Sequence, residues 1–183
     1  MKKGLVAAFI VTLAILGYAF KKPAAAPAAD TIKWMSWEEV QQAQKKEPRK
    51  VFVDVYTEWC GWCKRMDATT FTNKEIVSYI NNNYYAVKFD AETRASIKLN
   101  GKEYKYISSG YRGYNELAAE LLQGQLSYPT GVYLDENLDI ITITPGYQEP
   151  KQFEQIINFI STGSYKTVSF DDYIRTFNGK VQD

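Results

Sequence analysis

Apolar and polar residues alternate along this chain with two different periods, which indicates a mixture of strands and helices. Short β-branched and aromatic runs, such as Val51-Phe52-Val53, are typical of buried strands, whereas apolar residues spaced three or four apart indicate amphipathic helices. The predicted strands are 31–34, 50–56, 84–90, 131–135 and 139–144. The predicted helices are 37–46, 60–67, 72–80, 114–123, 150–161 and 169–177. This order predicts an α/β fold in which helices flank a central mixed β-sheet.

Short local motifs mark where some of these elements begin. Ser36 with Glu39, and Thr72 with Glu75, have the spacing of a capping box. In this motif the side chain of each residue accepts a hydrogen bond from the backbone N–H of the other. The Asn-Gly dipeptide at 100–101 lies between two short runs and favours a two-residue hairpin turn. We therefore expect helices to start after Ser36 and Thr72, and a hairpin around position 100.

The chain has only two cysteines, Cys60 and Cys63, and they are three residues apart. A disulfide that stabilises a fold does so mainly by closing a long loop in the unfolded chain, and this loop is nearly as short as possible. The same pair suits a reversible disulfide, in which one thiolate attacks and the other thiol resolves. The spacing therefore favours thiol–disulfide chemistry over a pair of inert thiols or half of a metal site.

The composition argues against a metal. The chain has no histidine, whereas a structural zinc site usually has four Cys or His ligands. Carboxylates or a second chain would have to complete the shell, so no metal is expected. The same absence excludes Ser-His and Cys-His nucleophilic pairs. The redox-active Cys60–Cys63 pair would itself carry the electrons in its dithiol form, and no added cofactor is expected.

The cysteines lie at the start of the helix that follows strand 50–56. A thiol at a helix N-terminus faces unpaired backbone N–H groups and the positive end of the helix dipole. Both favour the thiolate, so the pKa of Cys60 should be lowered. Cys63 lies one turn further in and should be less exposed. Cys60 is therefore predicted to attack a substrate disulfide, and Cys63 to resolve the mixed disulfide.

The residues around the cysteines resemble the thioredoxin superfamily. The matching residues are Val53, Asp54 and the run from Glu58 to Lys64, in which Trp59, Gly61 and Trp62 would support the two cysteines. The resemblance covers residues 32–161 and implies a thioredoxin fold. The run from Met66 to Asn73 is similar to a secreted branch of the superfamily, which includes the C-terminal domain of the membrane disulfide-reductase electron transporter.

The resemblance implies roles for residues outside the cysteine motif. Asp54 matches a buried aspartate that helps to deprotonate the second cysteine, although the residues alone also allow a strand-edge aspartate that faces water. Lys88 matches a lysine near that acid, with a solvated strand-end lysine as the alternative. Tyr128-Pro129 is similar to the cis-proline loop that opposes the disulfide, where the Tyr128 backbone would bind an extended substrate. An ordinary trans-proline turn is the alternative there.

The chain departs from the family pattern in three ways. Trp62 stands where the family usually has proline, and this should alter the environment of the thiolate. Residues 91–126 contain an insertion before the cis-proline loop, and residues 164–183 form a C-terminal helical extension beyond the thioredoxin-like domain at 31–163. We expect the tyrosines of the insertion to cover the sheet edge, although they could instead form a substrate-docking surface. The apolar residues of the extension are expected to pack on the domain's own core rather than on a partner. These residues are Tyr104, Tyr106, Tyr111 and Tyr114 in the insertion, and Phe170, Tyr173, Ile174 and Phe177 in the extension.

The N-terminus indicates the compartment. Lysines at 2–3 and 21–22 border an apolar run, so residues 1–22 are predicted to be a signal peptide or an N-terminal membrane anchor. An Ala/Pro-rich linker follows at 23–30. Both alternatives place the domain in the periplasm or otherwise outside the cytoplasm. With 22 basic and 21 acidic residues, the charge gives no indication of nucleic-acid binding.

Three functions are consistent with these residues. We favour a protein-disulfide reductase that acts on oxidised exported proteins and takes electrons from a membrane thiol donor. A disulfide isomerase or oxidase on the same fold is the first alternative. Such enzymes stabilise their reduced thiolate, and this chain has no histidine between its cysteines to do so. The second alternative is a non-catalytic thioredoxin-like binding module.

Overall fold

The computed structural model describes residues 31–182, so the predicted signal peptide or anchor and the linker lie outside the described residues. The strands are β1 (Lys50–Tyr56), β2 (Tyr84–Asp90), β3 (Ile97–Leu99), β4 (Lys102–Tyr104), β5 (Tyr106–Ile107), β6 (Tyr114–Asn115), β7 (Thr130–Leu134) and β8 (Ile140–Pro145). The helices are α1 (Trp37–Gln44), α2 (Gly61–Thr69), α3 (Lys74–Asn83), α4 (Glu116–Leu121), α5 (Pro150–Ser161) and α6 (Phe170–Thr176). Within this part of the chain, no helix has the length and apolar character needed to span a membrane.

The central sheet contains four strands in the order β2-β1-β7-β8. β1 runs parallel to β2 and antiparallel to β7, and β8 runs antiparallel to β7. The register places Asp54 of β1 between Lys88 of β2 and Gly131 of β7. This is the predicted α/β architecture with a mixed central sheet, so the predicted fold class is confirmed at this level.

The alternation of side chains along β1 divides the core into two layers. The valines of β1 face α1 and α4, whereas Phe52 faces the layer that contains α2, α3 and α5. Phe52 is completely buried, and its ring centroid lies 5.9, 5.3 and 5.2 Å from those of Phe71, Tyr133 and Phe153. This aromatic group holds the layer beneath the cysteine helix α2 together.

One of the two predicted capping boxes is present. Ser36 Oγ accepts a hydrogen bond from the Glu39 N–H at 3.2 Å, and Glu39 Oε2 accepts one from the Ser36 N–H at 2.7 Å. The predicted box at Thr72 is wrong, because the side chain of Asn73 caps α3 instead. The Thr72 hydroxyl is already engaged, since it donates to the Ala68 carbonyl of the preceding helix at 3.0 Å.

Two further predicted elements differ from the structure. The predicted first strand, 31–34, is reduced to a single bridge between Trp34 and Ala86, because Ser36 caps α1 only two residues later. The predicted helix 114–123 begins only at Glu116, because the two residues before it pair with β5 as the short strand β6. The hairpin around position 100 is confirmed, with φ angles of 49° and 79° at positions 100 and 101.

The tyrosines of the insertion do not form one cluster. Tyr104 is buried within the layer of the β1 valines and is thus part of the core itself. Tyr106 and Tyr114 are half-buried. Tyr111 differs from all of them, because 98% of its surface is exposed.

The C-terminal extension packs on the domain itself, as expected. The Phe159 ring of α5 has its centroid 5.3 Å from that of Phe170 and 5.0 Å from that of Tyr173, both on α6. Beyond α6 the chain returns to α5. There the buried Glu154 carboxylate accepts hydrogen bonds from the N–H groups of Lys180 and Val181 at 2.6 and 3.1 Å.

We expect Phe52→Ala to destabilise the domain by about 3–5 kcal/mol, because it removes a fully buried ring and leaves a cavity. The free energy of unfolding from a denaturant titration measures this loss. Tyr111→Ala is the matched control, since the exposed Tyr111 ring should contribute less than about 0.5 kcal/mol. Equal losses in the two variants would contradict the burial assigned to Phe52.

Candidate active site

One edge of the central sheet brings together the loops that carry the predicted site residues. β1 and β2 both end at this edge, at Tyr56 and Asp90. Because β7 is antiparallel to β1, it begins at the same edge with Thr130, and its partner β8 ends there at Pro145. The segments that follow β1, β2 and β8, and the one that precedes β7, are therefore neighbours.

Cys60 and Cys63 form a disulfide at the N-terminus of α2. Cys60 is the N-cap residue, and its Sγ accepts a hydrogen bond from the Cys63 N–H at 3.0 Å. The Cys60 N–H donates to the Thr57 carbonyl at 3.1 Å, so a tight turn joins β1 to the helix. Both cysteines are buried, so exposure does not distinguish them. A disulfide does not titrate, and the lowered pKa of Cys60 stays a prediction for the reduced protein.

Asp54 is buried, with 2% of its surface exposed, and therefore does not face water at a strand edge. Its Oδ2 accepts a hydrogen bond from Lys88 Nζ at 2.8 Å. Lys88 Nζ also donates to Asp67 Oδ1 on α2, so the lysine bridges two carboxylates and is not merely a solvated strand-end residue. The ladder between β1 and β2 fixes the first pair, because Asp54 and Lys88 are direct neighbours in register.

The buried pair shifts the protonation of both partners. Burial raises the pKa of Asp54, although the charge of Lys88 and its hydrogen bond act in the opposite direction. For Lys88, burial lowers the pKa, but the charges and hydrogen bonds of Asp54 and Asp67 together outweigh it and raise the pKa. Asp54 therefore holds a proton to higher pH than an exposed aspartate. Such a carboxyl is suited to accept and release a proton in a reaction.

The Tyr128–Pro129 peptide bond is cis, as the resemblance implies. The Pro129 carbonyl accepts a hydrogen bond from the Gly146 N–H at 2.8 Å, which ties this loop to the end of β8. The ladder between β1 and β7 begins at Thr130, so Tyr128 lies beyond the last paired residue. The loop therefore stands at the same sheet edge as the disulfide.

Trp59, next to Cys60 in sequence, is held by residues of the insertion. Its Nε1 donates to Glu92 Oε1 at 3.0 Å, and the Arg112 guanidinium lies 4.5 Å from its ring centroid. Arg112 Nη1 is also 3.8 Å from Glu92 Oε1. The Tyr128 ring meets Trp59 edge-on at 6.0 Å. Burial, with smaller contributions from nearby acids such as Glu92, raises the pKa of Tyr128 to about 12.

Trp62 packs against a different set of residues. Its ring centroid is 5.4 Å from that of Tyr147, and the Arg65 guanidinium lies 5.8 and 5.7 Å from these two rings. The Tyr147 hydroxyl shares a hydrogen bond with Thr69 Oγ1 at 3.0 Å. Trp59 and Trp62 are 52% and 58% exposed. Two half-exposed tryptophans, each beneath an arginine, therefore flank the cysteine motif.

The remaining position in the motif, Gly61, has open space around it. A Cβ built on Gly61 would meet no atom within 4 Å, so no close approach requires glycine there. Among residues 31–182, no group of three or more Cys, Asp or Glu side chains is arranged to hold a metal ion.

Sequence analysis missed several residues of this group, namely Asp67, Arg65, Tyr147, Glu92 and Arg112. Helical spacing offered a signal for Asp67 and Arg65, because both lie on α2 with the cysteine motif. No sequence signal pointed to Glu92 and Arg112, whose meeting at Trp59 depends on the path of the insertion.

Solved structures with a similar arrangement share the thioredoxin fold. A thioredoxin-fold protein from Helicobacter pylori aligns with a TM-score of 0.56 and 19% identity, over 70% of this chain and 83% of that one. DsbH oxidoreductase aligns with a TM-score of 0.51 and 14% identity, over 74% of this chain and 88% of that one. A putative disulphide-isomerase from Bacteroides thetaiotaomicron aligns with a TM-score of 0.51 and 22% identity, over 77% of this chain and 98% of that one. The protein thus has the thioredoxin fold, with the Cys60–Cys63 disulfide at the start of one of its helices.

The chain belongs to the Thioredox_DsbH family, described as a protein of unknown function, DUF255, whose family model matches residues 24–162. The predicted membership of the thioredoxin superfamily is confirmed. Rat spermatogenesis-associated protein 20 is 32% identical over 71 residues, or 38% of this chain. An uncharacterized protein of Caenorhabditis elegans is 30% identical over 88 residues, or 48% of this chain. The matched segment spans only 9% of the length of the rat protein and 12% of that of the Caenorhabditis elegans protein.

We expect Asp54→Asn to stabilise the oxidised protein at neutral pH by on the order of 1 kcal/mol, or roughly 2–4 °C in Tm. A carboxyl whose pKa is raised on folding binds its proton more tightly in the folded state, so raising the pH above 3.8 costs the wild type stability. Asparagine has no charge to bury and still offers Lys88 an acceptor. Thermal unfolding from about pH 3 to about pH 8 measures the difference.

The gain from Asp54→Asn should shrink toward the acid end of this range, where the wild-type carboxyl is also neutral. Asp67→Asn is the matched control, because Asp67 shares Lys88 but is 41% exposed, and it should show no such gain. A loss of stability in Asp54→Asn at every pH would show that the ion pair with Lys88 outweighs the cost of burying the charge.

Proposed function

We propose that the protein is a protein-disulfide reductase that acts on oxidised cysteines of exported proteins. The observation that carries this proposal is the Cys60–Cys63 disulfide at the N-terminus of α2. The buried Asp54–Lys88 pair supports it, because it supplies a proton acceptor. The cis-proline loop at Tyr128–Pro129 also supports it, because the Tyr128 backbone could bind the substrate. The predicted leader at residues 1–22 supports a location outside the cytoplasm.

Cys60 is the attacking sulfur in the reduced protein. The N–H groups at the start of α2 stabilise negative charge on Cys60 Sγ, and the Cys63 N–H already points at this atom. The thiolate attacks one sulfur of the substrate disulfide and forms a mixed disulfide with it. The substrate disulfide breaks, and its other sulfur leaves as a thiolate that takes up a proton.

Cys63 completes the reaction. Its thiol passes its proton to the Asp54 carboxylate, whose raised pKa suits it to receive one. The Cys63 thiolate then attacks Cys60 Sγ, the mixed disulfide breaks, and the second substrate sulfur leaves as a thiolate that takes up the proton from Asp54. Two electrons and two protons reach the substrate, and the Cys60–Cys63 disulfide forms.

The substrate and the electron donor meet the same sheet edge. Tyr128 lies beyond the β1–β7 ladder, so its backbone is placed to bind an extended segment of the substrate next to Pro129. Return to the dithiol needs two electrons, which a membrane thiol donor in the same compartment would supply. The leader would act as a signal peptide or as a membrane tether, and the disulfide serves in place of a bound cofactor.

We expect Cys63→Ser to accumulate mixed disulfides through Cys60, because the attacking thiol remains and the resolving thiol is gone. Non-reducing electrophoresis of the variant, incubated with an oxidised protein substrate, measures the adduct. Cys60→Ser is the matched control and should form almost none. Comparable adducts in both variants would contradict the assignment of Cys60 as the attacking residue.

The reduction potential of the Cys60–Cys63 pair should lie near about −270 mV, the range of an electron-delivering thioredoxin. Equilibration with glutathione or dithiothreitol buffers, followed by the fluorescence of Trp59 and Trp62, measures it. A value between about −180 and −120 mV would instead assign the protein as an isomerase or oxidase. Failure to titrate as a two-electron couple would leave a non-catalytic binding module.

A further inference from the structure

The insertion contains a short hairpin, which we call the arm and define as residues 106–115. β5 pairs with β6 at its base, and residues 108–113 form its tip. The base is closely packed, because a Cβ at Gly113 would lie 2.2 Å from the Ile107 carbonyl oxygen and 2.4 Å from Tyr106 Cζ. The Arg94 guanidinium covers the Tyr106 ring at 5.0 Å. The arm is therefore fixed to the domain at its base.

The tip of the arm lies at the active site. Arg112 stacks on Trp59 at 4.5 Å and pairs with Glu92, so the tip is connected to the residue that precedes Cys60. Tyr111 is adjacent to Arg112 in sequence, and 98% of its surface is exposed. Trp59, 52% exposed, offers a second aromatic surface beneath Arg112. The arm thus carries an uncovered aromatic ring next in sequence to the residue that contacts Trp59.

The charges near the other tryptophan are unbalanced. Arg65 lies over the Trp62 and Tyr147 rings, and within residues 31–182 it forms no ion pair with an acid. Arg112, by contrast, has Glu92 as a partner. Of the two arginines that cover the tryptophans, Arg65 is therefore the one whose guanidinium is available to pair with an acidic side chain of a bound segment.

We propose that the arm is a docking surface for an extended substrate segment that carries an aromatic residue on one side of its cysteine and an acidic residue on the other. This inference rests on the proposed function and defines its substrate class. The aromatic residue packs on Tyr111 and Trp59, and the acidic residue pairs with Arg65. Aromatic contacts of this kind correspond to about a three- to tenfold preference over a small polar residue.

Two peptides that differ only by phenylalanine or serine beside a cysteine test the aromatic part. Their cysteines are first changed to serine, and their Kd for the oxidised full-length protein is measured through tryptophan fluorescence. We expect the phenylalanine peptide to bind about three- to tenfold more tightly, and Tyr111→Ala to remove most of this preference. Arg175→Ala, which alters an exposed arginine on α6, is the control and should keep the preference.

A second peptide pair with glutamate or lysine on the other side of the cysteine tests the charge. We expect the wild type to favour glutamate and Arg65→Gln to lose that preference, whereas Arg175→Ala retains it. Equal Kd values for all peptides, or a preference unchanged in Tyr111→Ala, would overturn the inference. Binding is measured without turnover, so failure of the arm is distinct from failure of the reductase. Only absence of Cys60-dependent reduction of the disulfide-linked dimers of the cysteine-containing peptides would show the latter.

Discussion

The position of β1, hydrogen-bonded to a parallel strand on one side and an antiparallel strand on the other, sets which loops meet at the active site. The parallel neighbour β2 sets Lys88 beside Asp54 and places Glu92 just past the same edge. The antiparallel neighbour β7 brings Pro129 to that edge, and β8 brings Tyr147. A shift of β1 by one residue would turn Asp54 into the valine layer and separate these groups.

The Asp54–Lys88 pair connects the sheet to the cysteine helix. Lys88 reaches Asp67 on α2 as well as Asp54 on β1, so one ammonium group links the strand before the cysteines to the helix that carries them. Aromatic rings enclose it, with its Nζ 4.7 Å from the Tyr56 centroid and 5.5 Å from that of Phe71. Burying these charges costs free energy, and the contacts with both carboxylates offset part of that cost.

Sequence analysis recovered the elements whose determinants are local. The apolar run of β1, the Ser36 capping box and the Asn-Gly turn at 100–101 each lie within a few residues, and the structure shows all three. The prediction at Thr72 was wrong because Thr72 and Asn73 are both able to cap α3. The hydrogen bond of the Thr72 hydroxyl to the preceding helix leaves Asn73 as the cap. The contact of Arg112 with Trp59 could not be predicted, because it joins residues that only the folded insertion brings together.

The C-terminal segment that binds Glu154 also sets an order for folding. Val181 is buried in the same layer as Phe52, and the buried Glu154 carboxylate lacks two of its donors until residues 180 and 181 arrive. A ribosome delivers these residues after the whole of the sheet, so this layer closes only after nearly the entire domain has been synthesised.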